Sequence, residues 1–183
     1  MNINRLGLIL TLILSAGVTY AQTHKLAHPQ THWVDAKKLT MLALERETTS
    51  NQLAAYVANT LIHSKQPDRH QWAARLLGLG LSLHPQNPRA QRINEGLALG
   101  MTLPAIESEN APEVLSRLLY HRAKQLEKGS LEDKTMAAFM IATSAYMAPY
   151  FEAAVYDYEK RRLQDGALNW RPVTGQTNLN PES

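Results

Sequence analysis

The chain contains no cysteine. That excludes a disulfide framework, a cysteine-ligated zinc or cluster site, a thiol nucleophile and a lipid anchor through cysteine. No Gly-rich phosphate loop follows a strand, and neither a nucleophile elbow nor an HExxH motif occurs. The sequence therefore nominates no catalytic residue and no cofactor. Charge of one sign is scarce as well. With 19 Lys and Arg against 16 Asp and Glu the net charge is only +3, and no cationic surface of the kind nucleic acid requires is concentrated anywhere.

An apolar run long enough to span a membrane is also missing. Leu6 to Val18 is uncharged but falls short of the roughly 20 residues a spanning helix needs. It follows Arg5 and precedes Thr19-Tyr20-Ala21, the order of a secretory signal peptide. Residues 1–21 are expected to be that signal, cleaved after Ala21, with an uncleaved anchor as the other reading. Removing 21 of the 183 residues leaves 162, and takes away Arg5 as its only charged side chain. Such a chain can bury one helical core without covalent staples. An exported protein lacking cysteine suits a bacterial periplasm or a secreted location, with no stable membrane insertion after cleavage.

What is present is helical periodicity. Residues 22–38 are polar, carry Pro29 and show no sustained period, and a flexible leader is expected over 22–48, with Trp33 able to dock on the body. The short run Leu39 to Leu44 is read as helical, although periodicity alone allows a strand. From residue 49 onwards, Thr49 with Gln52, Asp68 with Gln71, Asn110 with Glu113 and Ser130 with Asp133 show the spacing of a capping box. They bracket expected helices at about 50–64, 69–83, 88–101, 111–128 and 131–147, and a sixth runs over about 150–164. The helical domain is placed at 49–166, and 167–183 is expected to be a disordered tail apart from Trp170.

The stretch Trp72 to Leu99 organises the rest. Trp72, Leu76, Leu79 and Leu83 line one helical face. His84 and Pro85 end that helix, and Asn87 and Pro88 begin the next, on Ala90, Ile93, Leu97 and Met101. Gly78 and Gly80 mark a surface that a neighbouring helix approaches closely. Met136 to Ala148 is apolar on almost every face and belongs at the centre of a bundle. Lys160, Arg161 and Arg162 suit the C-terminus of the sixth helix, with Gly166 beyond.

Shifting the chain against itself by 64 residues lays Pro85 on Pro149, and Ala73, Ala74, Ala90 and Glu95 on Ala137, Ala138, Ala154 and Glu159. The junctions LSLHPQNPRAQ and YMAPYFEAA, each a helix, a proline and a helix with an early alanine, resemble the junction between tetratricopeptide repeats. Ala73 and Ala137 stand at the family's small position. The resemblance spans about residues 50–164 and implies an all-α fold of stacked helical hairpins holding a peptide, a protein or another copy of itself. The family unit of about 34 residues contains two helices, whereas the interval here contains three. Both a tetratricopeptide-like α-solenoid and a compact six-helix bundle therefore remain open.

Histidines 24, 28 and 32 recur every four residues, but Pro29 breaks the helix that would stack them. Cleavage after Ala21 would leave Gln22-Thr23-His24, whose amine, backbone nitrogens and imidazole could form a square-planar Cu(II) or Ni(II) site, making His24 a weak metal candidate. His63, His70, His84 and His121 share no ligand spacing, and Glu107 with Glu109, or Glu132 with Asp133, lack the facing geometry of a catalytic pair. The expected function is an exported, non-catalytic binding or assembly module with a protein or peptide partner, self-association included. The rivals are an envelope enzyme with a site in a helical groove and a periplasmic metal-binding protein using the His-containing leader.

Overall fold

The computed structural model describes residues 27–30, 33–107 and 110–176. The expected signal segment, His24 and His32 lie outside them, as does the end of the tail. The described residues form an all-helical fold of seven helices. These are α1 (Ala43–Tyr56), α2 (Arg69–Leu83), α3 (Pro88–Ala98), α4 (Pro112–Leu126), α5 (Leu131–Met147), α6 (Glu152–Asp165) and α7 (Arg171–Thr174). A 3-10 turn at Ala36–Lys38 precedes α1, and a π turn, Val57–Leu61, extends it.

Packing follows chain order within two groups of three helices. In the first, α1 packs on α2 and both contact α3; in the second, α4 packs along α5 and α5 along α6. Each group turns on its proline corner. His84 and Ala148 end α2 and α5 at φ/ψ of −141/87° and −135/78°, and the N–H of each bonds back to Gly80 and Ser144 respectively. Three residues after each, Asn87 and Phe151 donate to the carbonyls of His84 and Ala148 at 3.1 and 2.8 Å. The two corners thus share one backbone conformation, 64 residues apart. Ala73, Ala90, Ala137 and Ala154, the small residues around them, are all buried.

The core runs through Leu53, Leu61, Leu76, Leu79, Met136, Met140 and Ile141. Helix α5 carries eleven buried residues over its seventeen, consistent with its nearly uninterrupted apolar sequence. Ser116 and Ser144 join α4 to α5 where only small side chains fit. Their hydroxyls lie 2.9 Å apart, and the Ser144 hydroxyl donates to the Ser116 carbonyl at 2.8 Å. The glycines of α2 permit two close approaches. A Cβ on Gly80 would crowd Ser50 of α1, and one on Gly78 would run into the backbone carbonyl of Val173 in α7.

Several boundaries differ from the periodicity reading. Helix α1 begins at Ala43, seven residues before the expected start, so Thr49 and Gln52 lie inside it rather than capping it. The Glu45 carboxylate reaches back to the Leu42 N–H at 3.3 Å instead. Asn110 does not cap α4; Ala111 holds the cap position and Pro112 opens the helix, where its missing N–H costs nothing. Helix α3 stops at Ala98 because Gly100 takes φ +66° and Met101 N–H turns back to the Gly96 carbonyl at 2.8 Å. The Ser130 and Asp133 capping box is formed in full, and Asn87 caps α3 by accepting from Arg89 and Ala90.

Both expected loose segments are packed over their described parts. Leu39 and Met41 are buried, Trp33 Nε1 donates to Ser82 Oγ at 3.0 Å, and Trp170, Val173 and Thr174 are buried. The three tryptophans join one aromatic chain. Trp33 meets Phe139 edge-on at 5.1 Å, Phe139 meets Trp170 at 4.9 Å, Trp170 meets Trp72 at 5.4 Å, and Trp72 stacks on Tyr146 at 3.8 Å. The Arg75 guanidinium sits over Trp72 and Trp170, 4.7 and 5.2 Å from the ring centres.

A candidate docking groove between α1 and α4

Because α1 packs on α2 and α4 on α5, the two helices stand apart along one side of the molecule. A groove of about 500 Å³ opens between them. Its floor is largely apolar, made by Leu115 and Leu119 of α4 and Met140 of α5 with Gln52 of α1 beside them, all buried. Its lips are leucines that the fold leaves in water: Leu42 is 77 % exposed, Leu44 72 % and Leu118 52 %. Val114, on the same outward face of α4, is 45 % exposed. Scattered exposed leucines need no explanation, but several flanking one apolar depression make it a candidate interaction surface.

The lips are held in place by charged and polar anchors. Thr40, two residues before Leu42, is pinned on both sides of its backbone: its N–H donates to Asp133 Oδ1 at 2.9 Å, and its carbonyl accepts from Arg122. Arg122 also pairs with Glu45 at 2.6 Å and donates to Gln125 at 2.6 Å. One side chain of α4 therefore fixes the entry to α1, and the two charges at the rim neutralise each other. Burial alone would raise the Asp133 carboxyl, but hydrogen bonds from the Thr40 N–H and from the Ser130 N–H and hydroxyl hold it below the ordinary aspartate range.

A second charged cluster braces α4 from the opposite side. Lys124 bonds Asp157 at 2.9 Å and Glu127 at 2.6 Å, Tyr120 donates to Asp157 at 3.0 Å, and Arg161 of α6 reaches Glu127. Burial opposes the Asp157 charge, yet Lys124 and Tyr120 lower its pKa, while burial and the Asp157 bond raise the Tyr120 hydroxyl. Arg161 is thus an inter-helix brace, and Arg162 pairs locally with Glu159 at 2.8 Å.

The described histidines do not converge. His28 and His63 are exposed, His70 and His84 are half-buried at separate helix ends, and His121 lines the groove. Glu132 faces Lys38 at 4.0 Å while Asp133 caps α5, so the two adjacent acids serve different partners. Among the described residues no three His, Asp or Glu side chains cluster in a way that could hold a metal, and no helix there is long and apolar enough to cross a membrane. His24 itself lies outside the described residues.

Periodicity does not reveal the groove, because Leu42 and Leu44 fall in a run that it assigns only loosely. The available signal was Leu118 standing beside Leu115 and Leu119, one more leucine than a single buried stripe needs. Comparison with protein-family models, curated proteins and solved structures finds no match for the chain.

Proposed function

We propose that this protein is an exported helical-repeat module that binds the apolar face of a helix from a protein partner and performs no chemistry of its own. The observation that carries the reading is the groove between α1 and α4, a largely apolar floor bordered by exposed leucines whose rim charges are mutually paired. Such a surface offers burial and shape rather than proton transfer, and an amphipathic helix presents matching apolar residues at three-and-four spacing. The two proline corners with buried alanines around them support the tetratricopeptide-like reading. The segment before Ala27 supports export through its signal-peptide order.

The test is photo-crosslinking in the native envelope fraction, with a photoreactive side chain at Leu118 of the full chain. Leu44→Glu should abolish the crosslinked product, whereas Tyr156→Glu, on the distant and equally exposed face of α6, should leave it intact. A product that persists in Leu44→Glu, or that disappears equally in Tyr156→Glu, refutes the groove as the docking surface.

A further inference from the structure

The chain lays its own ends over one of its faces and leaves another in water. Beside α3 and α7 the leader is seated. Asn94 Oδ1 accepts from the Ala27 N–H at 3.0 Å and Asn94 Nδ2 donates to the Ala27 carbonyl at 2.9 Å. The His28 and Gln30 N–H groups donate to the Thr174 and Pro172 carbonyls at 3.0 and 2.8 Å. Along the outward face of α4, by contrast, Glu113, Val114, Arg117, Leu118 and His121 are all exposed. They fall on two edges. Glu113 and Arg117 lie four residues apart on one, and Val114 and Leu118 four apart on the other, about 100° further round and on the side that leads into the groove.

Glu113 and Arg117 stand in the favoured order for an ion pair within one helix, yet neither takes an ion pair among the described residues. Glu113 accepts instead from the Tyr150 hydroxyl, and the Arg117 guanidinium lies over the Phe151 ring, 5.8 Å from its centre. The two-edged pattern is complementary to itself. A twofold axis perpendicular to α4, level with residues 115–116, lays a second α4 antiparallel on the first and brings like edges together. On the charged edge Glu113 then faces Arg117 of the second copy, and Arg117 faces its Glu113. On the apolar edge Val114 faces Leu118 of the second copy, and the reverse. The two pairings centre one residue apart, about 1.5 Å of helix rise, so a single axis satisfies both. A parallel pairing would set the charged edge of one copy on the apolar edge of the other.

We propose that the helix received at the mouth of the groove is α4 of a second copy of this chain, in an antiparallel twofold dimer. The inference rests on the groove being a docking surface and adds its occupant. Charge complementarity selects that occupant, because the acid and the cation left unpaired in one copy meet their opposites in the other. Leu42 and Leu44 of α1, across the groove from Leu118, extend the apolar edge, and the symmetry uses every one of these side chains twice. The dimer is reversible and dependent on concentration.

Sedimentation of the full chain over a concentration series tests the dimer. Glu113→Arg alone and Arg117→Glu alone each set like charges opposite one another at both symmetric contacts, and each should weaken self-association about tenfold. An equimolar mixture of the two variants restores both opposite-charge contacts and should dimerise as the parent does, with circular dichroism establishing that each is folded. Because the chain has no cysteine, single thiols report the register. Oxidation of a mixture of Val114→Cys and Leu118→Cys chains should yield the mixed disulfide in excess over either disulfide between identical chains. A parent that stays monomeric at every concentration overturns the second copy as occupant; a different polypeptide captured from Leu118, and lost in Leu44→Glu, would then leave the groove standing without it. A dimer indifferent to both charge reversals, or folded variants that mixing fails to restore, overturns the charged edge. A mixed disulfide no more abundant than the others overturns the antiparallel register.

Discussion

Replacing Gly78 by alanine sets two effects of opposite sign against each other. Alanine is the better helix former by about 1 kcal/mol at an interior position, so on local grounds Gly78→Ala stabilises α2. The structure argues the reverse. A Cβ at residue 78 would collide with the Val173 carbonyl oxygen and stand 3.0 Å from its carbonyl carbon. The obstacle is backbone, so no side-chain rotation relieves it. Either α7 moves off or α2 bends. Helix α7 is four residues long and is the weaker element, so it lifts. Lifting it exposes Val173, worth about 1.5–3 kcal/mol when fully buried, loosens Trp170, and removes the carbonyls that hold His28 and Gln30. The net expectation is a destabilisation of about 2 kcal/mol, or a fall in Tm of about 4–8 °C for a chain of this size. Loss of α7 alone sets the ceiling. Urea and thermal unfolding followed by circular dichroism measure the change, and amide exchange at His28 and Gln30 should quicken with it. A Gly78→Ala protein of higher Tm, with those amides as protected as before, would show that propensity wins and that the approach of α7 is not tight.

Asp133→Asn should free Thr40 and the start of α1 while leaving α5 helical, and it should alter the acid limb of stability. The folded pKa values of Asp133 and Asp157 lie below the unfolded value of about 3.9. The unfolded chain therefore binds more protons in that window, and stability rises with pH there. The contribution of both carboxylates is complete above about pH 5 and is lost as pH falls through their depressed folded values. Urea midpoints between pH 2 and 6 should climb less steeply in Asp133→Asn than in the parent; parallel curves would refute the assignment. Asn87→Ala removes a cap that accepts from Arg89 and Ala90 and a donor to the buried Ser50 hydroxyl at 2.7 Å. It should cost about 1–3 kcal/mol in urea denaturation, and a change under 0.5 kcal/mol would show that the corner does not depend on it.

The interior of the fold was legible because periodicity reports burial directly. Helices α2 and α5 fall on their expected bounds, since an apolar stripe at three-and-four spacing suits only one secondary structure. The capping signals were weaker guides. Ser130 and Asp133 form their box, yet Thr49 satisfies the same pattern from mid-helix, because spacing alone does not say which backbone amides lack partners. The groove lips illustrate a deeper limit. Leu115 and Leu118 are identical in sequence terms, and only the separation of α1 from α4 decides that one is covered and the other wet. The leader and tail were unreadable for a related reason. Their hydrogen bonds go to Asn94, Pro172 and Thr174, far off in the chain, and long-range main-chain pairing leaves no local period.

The pairing of His28 with Thr174 carries a consequence for the order of events as the protein is made. The leader emerges from the ribosome almost 150 residues before the carbonyl that receives it. Closing so long an interval costs entropy that only a nearly finished body repays. Residues synthesised long before α7 are consequently among the last to settle, and until α7 arrives the nascent chain presents Asn94 and an unlatched leader side by side.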